Sequence, residues 1–249
     1  MTKFFKLKKL FLQTLFLYIF LLTSSEGSIE KYYKGDSISN YFSGVVSLND
    51  NKYQESYNFF KKLESLEDNH YKYSTSYIET LVNNSKINEA FRYSKKLKKK
   101  KVNFFQSDVI ILSKFIKNGN FNKSHDYLIT INDNNYTPLQ VLLKQITLSW
   151  VKVEKFKLKY DEAQEVFQSI SAKYKNINRI NDVFLNCYFD TSYVDAKFQN
   201  LINDQTTDFS RYTFFYANYL LKKDLSKKAS LILKAKLKEV PRNLLINQI

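Results

Sequence analysis

The chain has 249 residues, with 39 lysines and arginines against 24 aspartates and glutamates, and a formal net charge of +15. Its four glycines and two prolines leave little material for the tight turns of an all-β protein, so the composition favours an all-helical chain. A single cysteine excludes a framework of internal disulfides.

The amino-terminal segment has the order of a secretory signal. Lysines among the first nine residues precede an apolar stretch over Leu10–Leu22, and small or polar residues follow at 23–28. Thirteen apolar residues are few against the roughly 20 that a membrane-spanning helix needs. We therefore predict a signal peptide over residues 1–25 and a linker over 26–36, with an uncleaved anchor as the alternative. Either form is expected outside the cytoplasm, in the periplasm or the cell envelope.

A period of 34 residues organises the chain from residue 37 to residue 242. The segments that align at this spacing are Asn51–Ser56, Ser85–Ala90 and Gly119–Ser124. Each consists of a turn residue, a polar residue, a large apolar residue, two polar residues and a small residue. Repetition at this period is typical of helix pairs that bury their apolar faces by stacking. We place the small residue where the second helix of each pair crosses the first.

The signature continues in the second half of the chain, where successive small residues lie 39, 33 and 33 residues apart instead of 34. The small residues of these later units are Ala163, Ala196 and Ala229. A spacing of 39 residues before the first of them predicts about five extra residues in the fourth unit, which we place at 154–159 between its helices. Thr137 and Pro138 form a favourable helix start for that unit. Pro241 marks the junction after a sixth unit.

The repeated pattern resembles the tetratricopeptide repeat. Asn51–Ser56 and Tyr160–Ala163 are similar to the Gly-Asp/Asn-Tyr-x-Glu-Ala turn of that family, and Gly44 and Ala217 match the small residue of its first helix. The resemblance implies an all-α, right-handed superhelical solenoid of about six helix-turn-helix repeats. It also implies a concave groove that is lined by the first helix of each repeat and binds protein or peptide partners.

Carrying the family groove over by position gives a mixed lining that suits an extended peptide. The predicted lining residues are Tyr41, Val45, Lys72, Thr75, Glu79, Asn83, Gln106, Val109, Ser113, Lys117, Asn181, Leu185, Arg211 and Asn218. The alternative is that they are ordinary exposed helix residues without a binding role.

The sequence offers little for catalysis or metal binding. Cys187 lies among apolar residues of a predicted first helix, which favours burial. The two histidines, His70 and His125, fall in different units, so they do not form a zinc site with the single cysteine. No glycine-rich loop for phosphate is present. We therefore expect no enzymatic activity, no cofactor and no metal site.

Positive charge is densest over Lys95–Lys101, at the end of the second helix of the second unit. Lysines there complement the helix dipole, and a docking patch for an acidic partner is the alternative. Removing the four leader lysines lowers the net charge from +15 to +11, so the mature surface is expected to attract acidic proteins and anionic membranes. No base-reading motif accompanies the charge.

Aromatic residues are also abundant, with 19 tyrosines and 21 phenylalanines. At Tyr57, Phe59 and Phe60 they fall at the spacing of a helical core, which predicts packing. A stripe of aromatics that stacks on a ligand is the alternative.

Residues 243–249 are predicted to begin another apolar helix of about two turns, so that either the chain is a curtailed form of a longer repeat protein or a partner or second copy covers this end. An end of a helical stack without a polar capping helix exposes apolar surface. We predict a self-association surface around Leu231, Leu233, Leu244 and Leu245.

Two functions fit these observations. The first is a non-catalytic, exported scaffold or adaptor that binds a protein or peptide partner in the concave groove. The second is a basic helical-repeat protein that binds nucleic acid. The leader disfavours the second, because export separates a protein from nucleic acid.

Overall fold

The computed structural model of the chain describes residues 35–66 and 70–239. Regular secondary structure in these ranges is helical throughout, which confirms the predicted all-α class. The chain divides into two compact units, one up to residue 63 and one from residue 64. The first contains helices α1 (Gly35–Asn49) and α2 (Tyr53–Phe60), and a 3₁₀ segment spans Lys61–Leu66.

Ten α-helices form the described part of the second unit. They are α3 (Tyr71–Asn83), α4 (Ile87–Lys99), α5 (Phe105–Lys117), α6 (Phe121–Thr130), α7 (Pro138–Phe156), α8 (Tyr160–Gln168), α9 (Lys175–Tyr188), α10 (Val194–Ile202), α11 (Tyr212–Lys222) and α12 (Ser226–Glu239). Each of them contacts the next along the chain, so this unit is a stack of successive helix pairs. None of the helices described is long and apolar enough to cross a membrane.

The predicted starts of the second helices are confirmed in the first four pairs, whereas the second helix of the fifth pair begins at Val194 and not at Tyr193. Helices α2, α4, α6 and α8 begin at the large residues of the repeat signature, which are Tyr53, Ile87, Phe121 and Tyr160. Two hydrogen bonds show that the helices of a pair are antiparallel. Ser74 Oγ and Tyr93 OH lie 3.0 Å apart, and Tyr77 OH donates to Glu89 Oε1 at 3.3 Å, so later residues of α3 meet earlier residues of α4.

Equivalent elements of successive pairs also contact each other. Tyr188 OH on α9 donates to Glu154 Oε1 on α7 at 2.7 Å, across 34 residues of sequence. Lys228 on α12 forms an ion pair with Asp195 on α10, across 33 residues. These contacts place each element beside its counterpart one repeat away.

The small residues of the signature lie at the helix crossings in most pairs. Ser56, Ala90, Ser124, Ala163 and Ala229 are all at most 1% exposed. In the first pair, Ser56 Oγ donates to the Gly44 carbonyl at 2.9 Å. A Cβ atom added to Gly44 would lie 2.6 Å from the Phe60 ring, so this crossing tolerates only glycine in the first helix.

The prediction for Ala196 is wrong, because its side chain is exposed. The turn of the fifth pair has five residues, 189–193, where the other turns have three, so α10 begins two residues later relative to its turn. Val194, the first residue of α10, is 1% exposed and is the residue buried there.

The position of the extra residues in the fourth pair was also predicted wrongly. Helix α7 has 19 residues against 13 in α3 and α5, while the turn before α8 has only three. The extra residues therefore lengthen the first helix. The predicted start at Thr137 and Pro138 is confirmed, because Thr137 N donates to Gln140 Oε1 at 3.0 Å in a capping box.

Every pair turns through one residue in the left-handed helical region. These residues are Asn51, Ser85, Gly119, Lys157, Asp190 and Asp224, with φ between 51° and 65°. Left-handed backbone at this position ends a helix and satisfies its last carbonyl groups. The spacing of these six residues follows the repeat more closely than the spacing of the small residues does.

Because only one of these six positions carries glycine, we expect Ser85→Gly to stabilise the protein. A non-glycine residue in the left-handed region costs about 1–2 kcal/mol, and the extra freedom of glycine in the unfolded chain offsets part of that gain. The expected gain in the free energy of unfolding is about 0.5–1 kcal/mol, measured by urea denaturation. Gly119→Ala is the matched reverse change, and it should lower the free energy of unfolding by a similar amount. A Cβ atom at position 119 meets no atom within 4 Å, so the effect is due to the backbone conformation alone. An unchanged urea midpoint in both variants would contradict the expectation.

Several sequence predictions fall outside the described residues. They are the signal peptide of residues 1–25, most of the linker of residues 26–36, Pro241 and the terminal helix of residues 243–249. The first described helix begins at Gly35, two residues before the predicted start of the array.

Candidate functional site

A groove of about 680 Å³ lies in the second unit, along the first helices of three successive pairs, α7, α9 and α11. Its lining is predominantly aromatic. The lining residues are Trp150, Phe184, Cys187, Tyr188, Asp190, Phe198, Phe215, Asn218, Tyr219, Lys222 and Lys223.

Two ring pairs, one between α7 and α9 and one between α9 and α11, form an aromatic wall across the three helix pairs. The Trp150 and Tyr188 rings lie 5.9 Å apart, and the Phe184 and Phe215 rings lie 5.3 Å apart in an edge-to-face arrangement. Tyr188 is 48% exposed and Phe215 is 41% exposed, so large ring areas face solvent. Rings fixed by such contacts provide a rigid apolar surface that a ligand can cover at little entropic cost.

The helix repeat explains why these residues meet. Phe184 and Asn218 each lie six residues before the left-handed turn residue of their pair, which is Asp190 or Asp224. They therefore occupy equivalent positions on α9 and α11, and stacking of the pairs brings those positions to one surface.

Carboxylates hold the groove tyrosines in place. Tyr188 OH donates to Glu154 at 2.7 Å, and Tyr219 OH donates to Asp190 Oδ1 at 2.8 Å. The hydrogen bond to Glu154 and burial raise the pKa of Tyr188. Burial and the Asp190 hydrogen bond raise the pKa of Tyr219 to about 12. Lys223 completes this set by pairing with Asp190, and its hydrogen bond, with that of Tyr219, lowers the pKa of the Asp190 carboxyl group.

Within residues 70–239, the positive charge of the groove that forms no ion pair is therefore that of Lys222. Asp190 compensates Lys223, whereas Lys222 is exposed and forms no ion pair within residues 70–239. An aromatic wall beside an uncompensated ammonium group suits a ligand with apolar side chains and a carboxylate. Asn218 adds an amide to the same surface.

Only one of the predicted groove residues, Asn218, lines this groove. Asn181 and Leu185 are 6% and 1% exposed and line a separate cavity of about 350 Å³. Those that are exposed elsewhere on the second unit are Lys72, Glu79, Asn83, Gln106, Val109, Ser113, Lys117 and Arg211. Thr75 on α3 is half-buried, as are Tyr41 and Val45 on α1 in the first unit.

A difference in register explains why the residues predicted on α9 do not line this groove. The prediction counted back from Ala196, which lies one residue too late relative to the turn at Asp190 when compared with the first three pairs. It therefore selected Leu185 in place of its neighbour Phe184, which lines the groove. The signal that points to Phe184 is the turn residue Asp190, because Phe184 lies six residues before it, as Asn218 lies six residues before Asp224.

The thiol of Cys187 lies in the same groove and is half-buried. Burial raises the pKa of this thiol, which lowers its thiolate fraction near neutral pH. No cluster of three or more histidine, cysteine, aspartate or glutamate side chains suited to a metal occurs in the part of the chain that the structure describes.

A second polar cluster centres on Asp108 near the start of α5. Its carboxylate is buried and accepts hydrogen bonds from Tyr127 OH and, at 2.5 Å, from Tyr136 OH. Lys98 Nζ on α4 lies 3.8 Å from the same carboxylate. One carboxylate thus joins α4, α5, α6 and the segment before α7. Burial and the Asp108 hydrogen bonds raise the pKa of both tyrosines.

Because of these raised pKa values, we expect stability to fall at alkaline pH. The unfolded-state pKa of tyrosine is about 10, and the folded-state values of Tyr127 and Tyr136 are higher. Their contribution is complete below about pH 10 and is lost as the pH rises from there through the folded-state pKa. The urea midpoint should therefore fall above about pH 10, and less steeply in Tyr127→Phe plus Tyr136→Phe. Tyr193→Phe is the control, and equal slopes in wild type and the double variant would contradict the expectation.

The predicted self-association surface is described only in part. Leu231 on α12 is 69% exposed, whereas Leu233 is 8% exposed. Leu244 and Leu245 lie outside the described residues. Self-association through this end stays a prediction.

Comparison with known proteins does not assign the chain to a family. No family model matches it, and a search of the curated proteins finds no match. The resemblance to the tetratricopeptide repeat therefore stays a prediction from the residues that carry the 34-residue period.

Proposed function

We propose that this chain is a non-catalytic binding protein whose groove along α7, α9 and α11 takes an extended segment of a partner protein. The observation that carries the proposal is the aromatic wall that continues across three successive helix pairs. Tyr188 and Phe215 present large exposed ring areas there. Aromatic side chains in partly enclosed sites supply much of the energy of protein recognition.

We further propose a repeat type for the helix pairs and a location for the protein. The helix pairs are about six repeats of the tetratricopeptide type, wound as a right-handed superhelix. The protein is exported and acts as a scaffold or adaptor in the cell envelope. The signature segments and the leader sequence support these two statements.

The charges of the groove favour a peptide over nucleic acid. A nucleic-acid groove needs several cations along the phosphate backbone. Here Asp190 compensates Lys223, and Glu154 beside Tyr188 is paired with Lys157 at 3.0 Å. Lys222 alone is left for a carboxylate of the ligand. We therefore expect ligands that combine aromatic or aliphatic side chains with an acidic residue.

Trp150 allows a direct test, because it is the only tryptophan of the chain and lines the groove. Peptides would be selected from a random display library on the purified protein and then titrated while Trp150 emission is recorded. We expect a saturable change in emission with acidic, aromatic-rich peptides. If single-stranded RNA gives the saturable change and no selected peptide does, the nucleic-acid alternative replaces the proposal.

A further inference from the structure

One edge of the second unit combines a dense lysine cluster with exposed aliphatic side chains. Helix α4 ends at this edge, and six of the seven residues in Lys95–Lys101 are lysines. Because the helices of a pair are antiparallel, α6 also ends at this edge and α7 begins there. We call this surface the basic edge and define it by Lys95, Lys99, Lys101, Ile129 and Leu139.

The Asp108 cluster holds these parts together. Its carboxylate contacts Lys98 within the lysine run, and accepts hydrogen bonds from Tyr127 and Tyr136. Ile129 follows Tyr127 by two residues, and Leu139 follows Tyr136 by three. The ends of α4 and α6 and the segment before α7 are therefore joined through one buried carboxylate.

The members of the basic edge are all open to solvent. Ile129 is 60% exposed and Leu139 is 62% exposed, so both present apolar surface at this edge. Lys95, Lys99 and Lys101 are exposed and form no ion pair with any residue that the structure describes.

The acidic groups of this region are already engaged. Asp108 is buried among its tyrosine partners, and Asp133 pairs with Lys144 at 2.9 Å. The hydrogen bond from Lys144 lowers the pKa of the Asp133 carboxyl group, so it stays charged and compensated. Among the residues that the structure describes, neither Asp108 nor Asp133 therefore compensates Lys95, Lys99 or Lys101.

We propose that the basic edge docks on the surface of a bilayer that contains anionic lipid. Lysine ammonium groups are attracted to the phosphates of anionic headgroups, and isolated aliphatic side chains among them enter the boundary between headgroups and acyl chains. An acidic protein would explain the lysines but not the exposed Ile129 and Leu139. The basic edge shares only α7 with the groove, since Leu139 lies at the start of that helix and the groove residue Trp150 lies eleven residues later. Membrane contact at this edge goes beyond peptide binding. Either one can fail while the other holds.

A fluorescent label tests the proposal on the full chain. Cys187 would be changed to serine and a single cysteine introduced as Leu139→Cys, carrying an environment-sensitive dye. The matched control places the same dye at Ser85→Cys, in the turn at the opposite edge. With vesicles of phosphatidylcholine plus phosphatidylglycerol, the dye at 139 should brighten and shift to the blue at least about threefold more than with phosphatidylcholine alone. The dye at 85 should change little.

Charge variants separate a local contact from general attraction. Lys95→Ser, Lys99→Ser and Lys101→Ser together should lower the response of the dye at 139 at least about fivefold. Changing Lys117, Lys123 and Lys227 to serine removes the same charge at exposed positions near the opposite edge and should leave the response unchanged. Equal loss in both triple variants, equal response of the two dye positions, or equal response to the two kinds of vesicle would overturn the proposal. So would an equal response to soluble polyglutamate, which would indicate an acidic protein partner.

Discussion

Ala90→Trp is expected to lower the free energy of unfolding by about 1–3 kcal/mol or more. Ala90 is 0% exposed and lies where α4 crosses α3. The hydrogen bonds between Ser74 and Tyr93 and between Tyr77 and Glu89 tie the two helices together on both sides of it. An indole group at this point would have to separate helices that these bonds hold together. Urea denaturation followed by circular dichroism measures the loss.

Ala196→Trp is the matched control for this substitution. The sequence signature placed Ala196 at an equivalent crossing, but its side chain is exposed, so the larger side chain should change stability by less than about 0.5 kcal/mol. Ala163→Trp, at a crossing with 0% exposure, should behave like Ala90→Trp. Equal midpoints for Ala90→Trp and wild type, or an equal loss in Ala196→Trp, would contradict the helix register described here.

The second large effect concerns binding. Tyr188→Ala plus Phe215→Ala should weaken the binding of a groove-selected peptide by at least about 100-fold, because truncation of central aromatic anchors typically costs 2 kcal/mol or more each. Folding should be little affected, since both rings are more than 40% exposed. Trp150 remains in the variant and still reports the titration.

The control for binding is another pair of exposed aromatic residues. Tyr193 and Phe42 are 64% and 61% exposed and lie outside the groove lining. Changing both to alanine removes comparable surface and should leave the peptide affinity within about twofold of wild type. If the two double variants bind equally well, the aromatic wall is not the binding site.

Much of the fold was predictable because its determinants are local. In the first four pairs, a large residue starts the second helix and a small residue follows three positions later, within short segments such as Ser85–Ala90. The capping pair at Thr137 and Gln140 acts within one helical turn. Such features depend on neighbours in sequence, so a single chain displays them.

The sequence does not show whether Ala196 or Val194 is buried in the fifth pair, and the register of that pair depends on which one is. Tyr193 and Ala196 reproduce the spacing of the signature, yet alanine is tolerated on a helix surface as readily as at a crossing. The longer turn over 189–193 moves the start of α10 and exposes Ala196, while Val194 is buried. Burial of one residue or the other is decided by packing against neighbouring pairs.

The candidate groove could not be predicted from the sequence for a related reason. Trp150, Phe184 and Phe215 are the residue types that also fill helical cores, so composition and spacing favoured packing. The exposure of these side chains depends on which first helices pack side by side. The ring contacts between those helices join residues that are 31 to 38 positions apart in the sequence. Of the predicted lining residues, Asn218 lies in this groove, and whether any of them contacts a partner stays a prediction.

Photo-crosslinking from the groove tests the proposed binding function most directly. Benzoylphenylalanine would replace Tyr188 or Phe215 in cells that make the protein naturally, with Tyr193 as the control position. Mass spectrometry would then map the crosslinked site on the captured protein. The expected result is that both groove positions crosslink to one short segment of the same partner, and that position 193 does not. The absence of product from both groove positions, or the same product from position 193, would contradict a binding function for the aromatic groove.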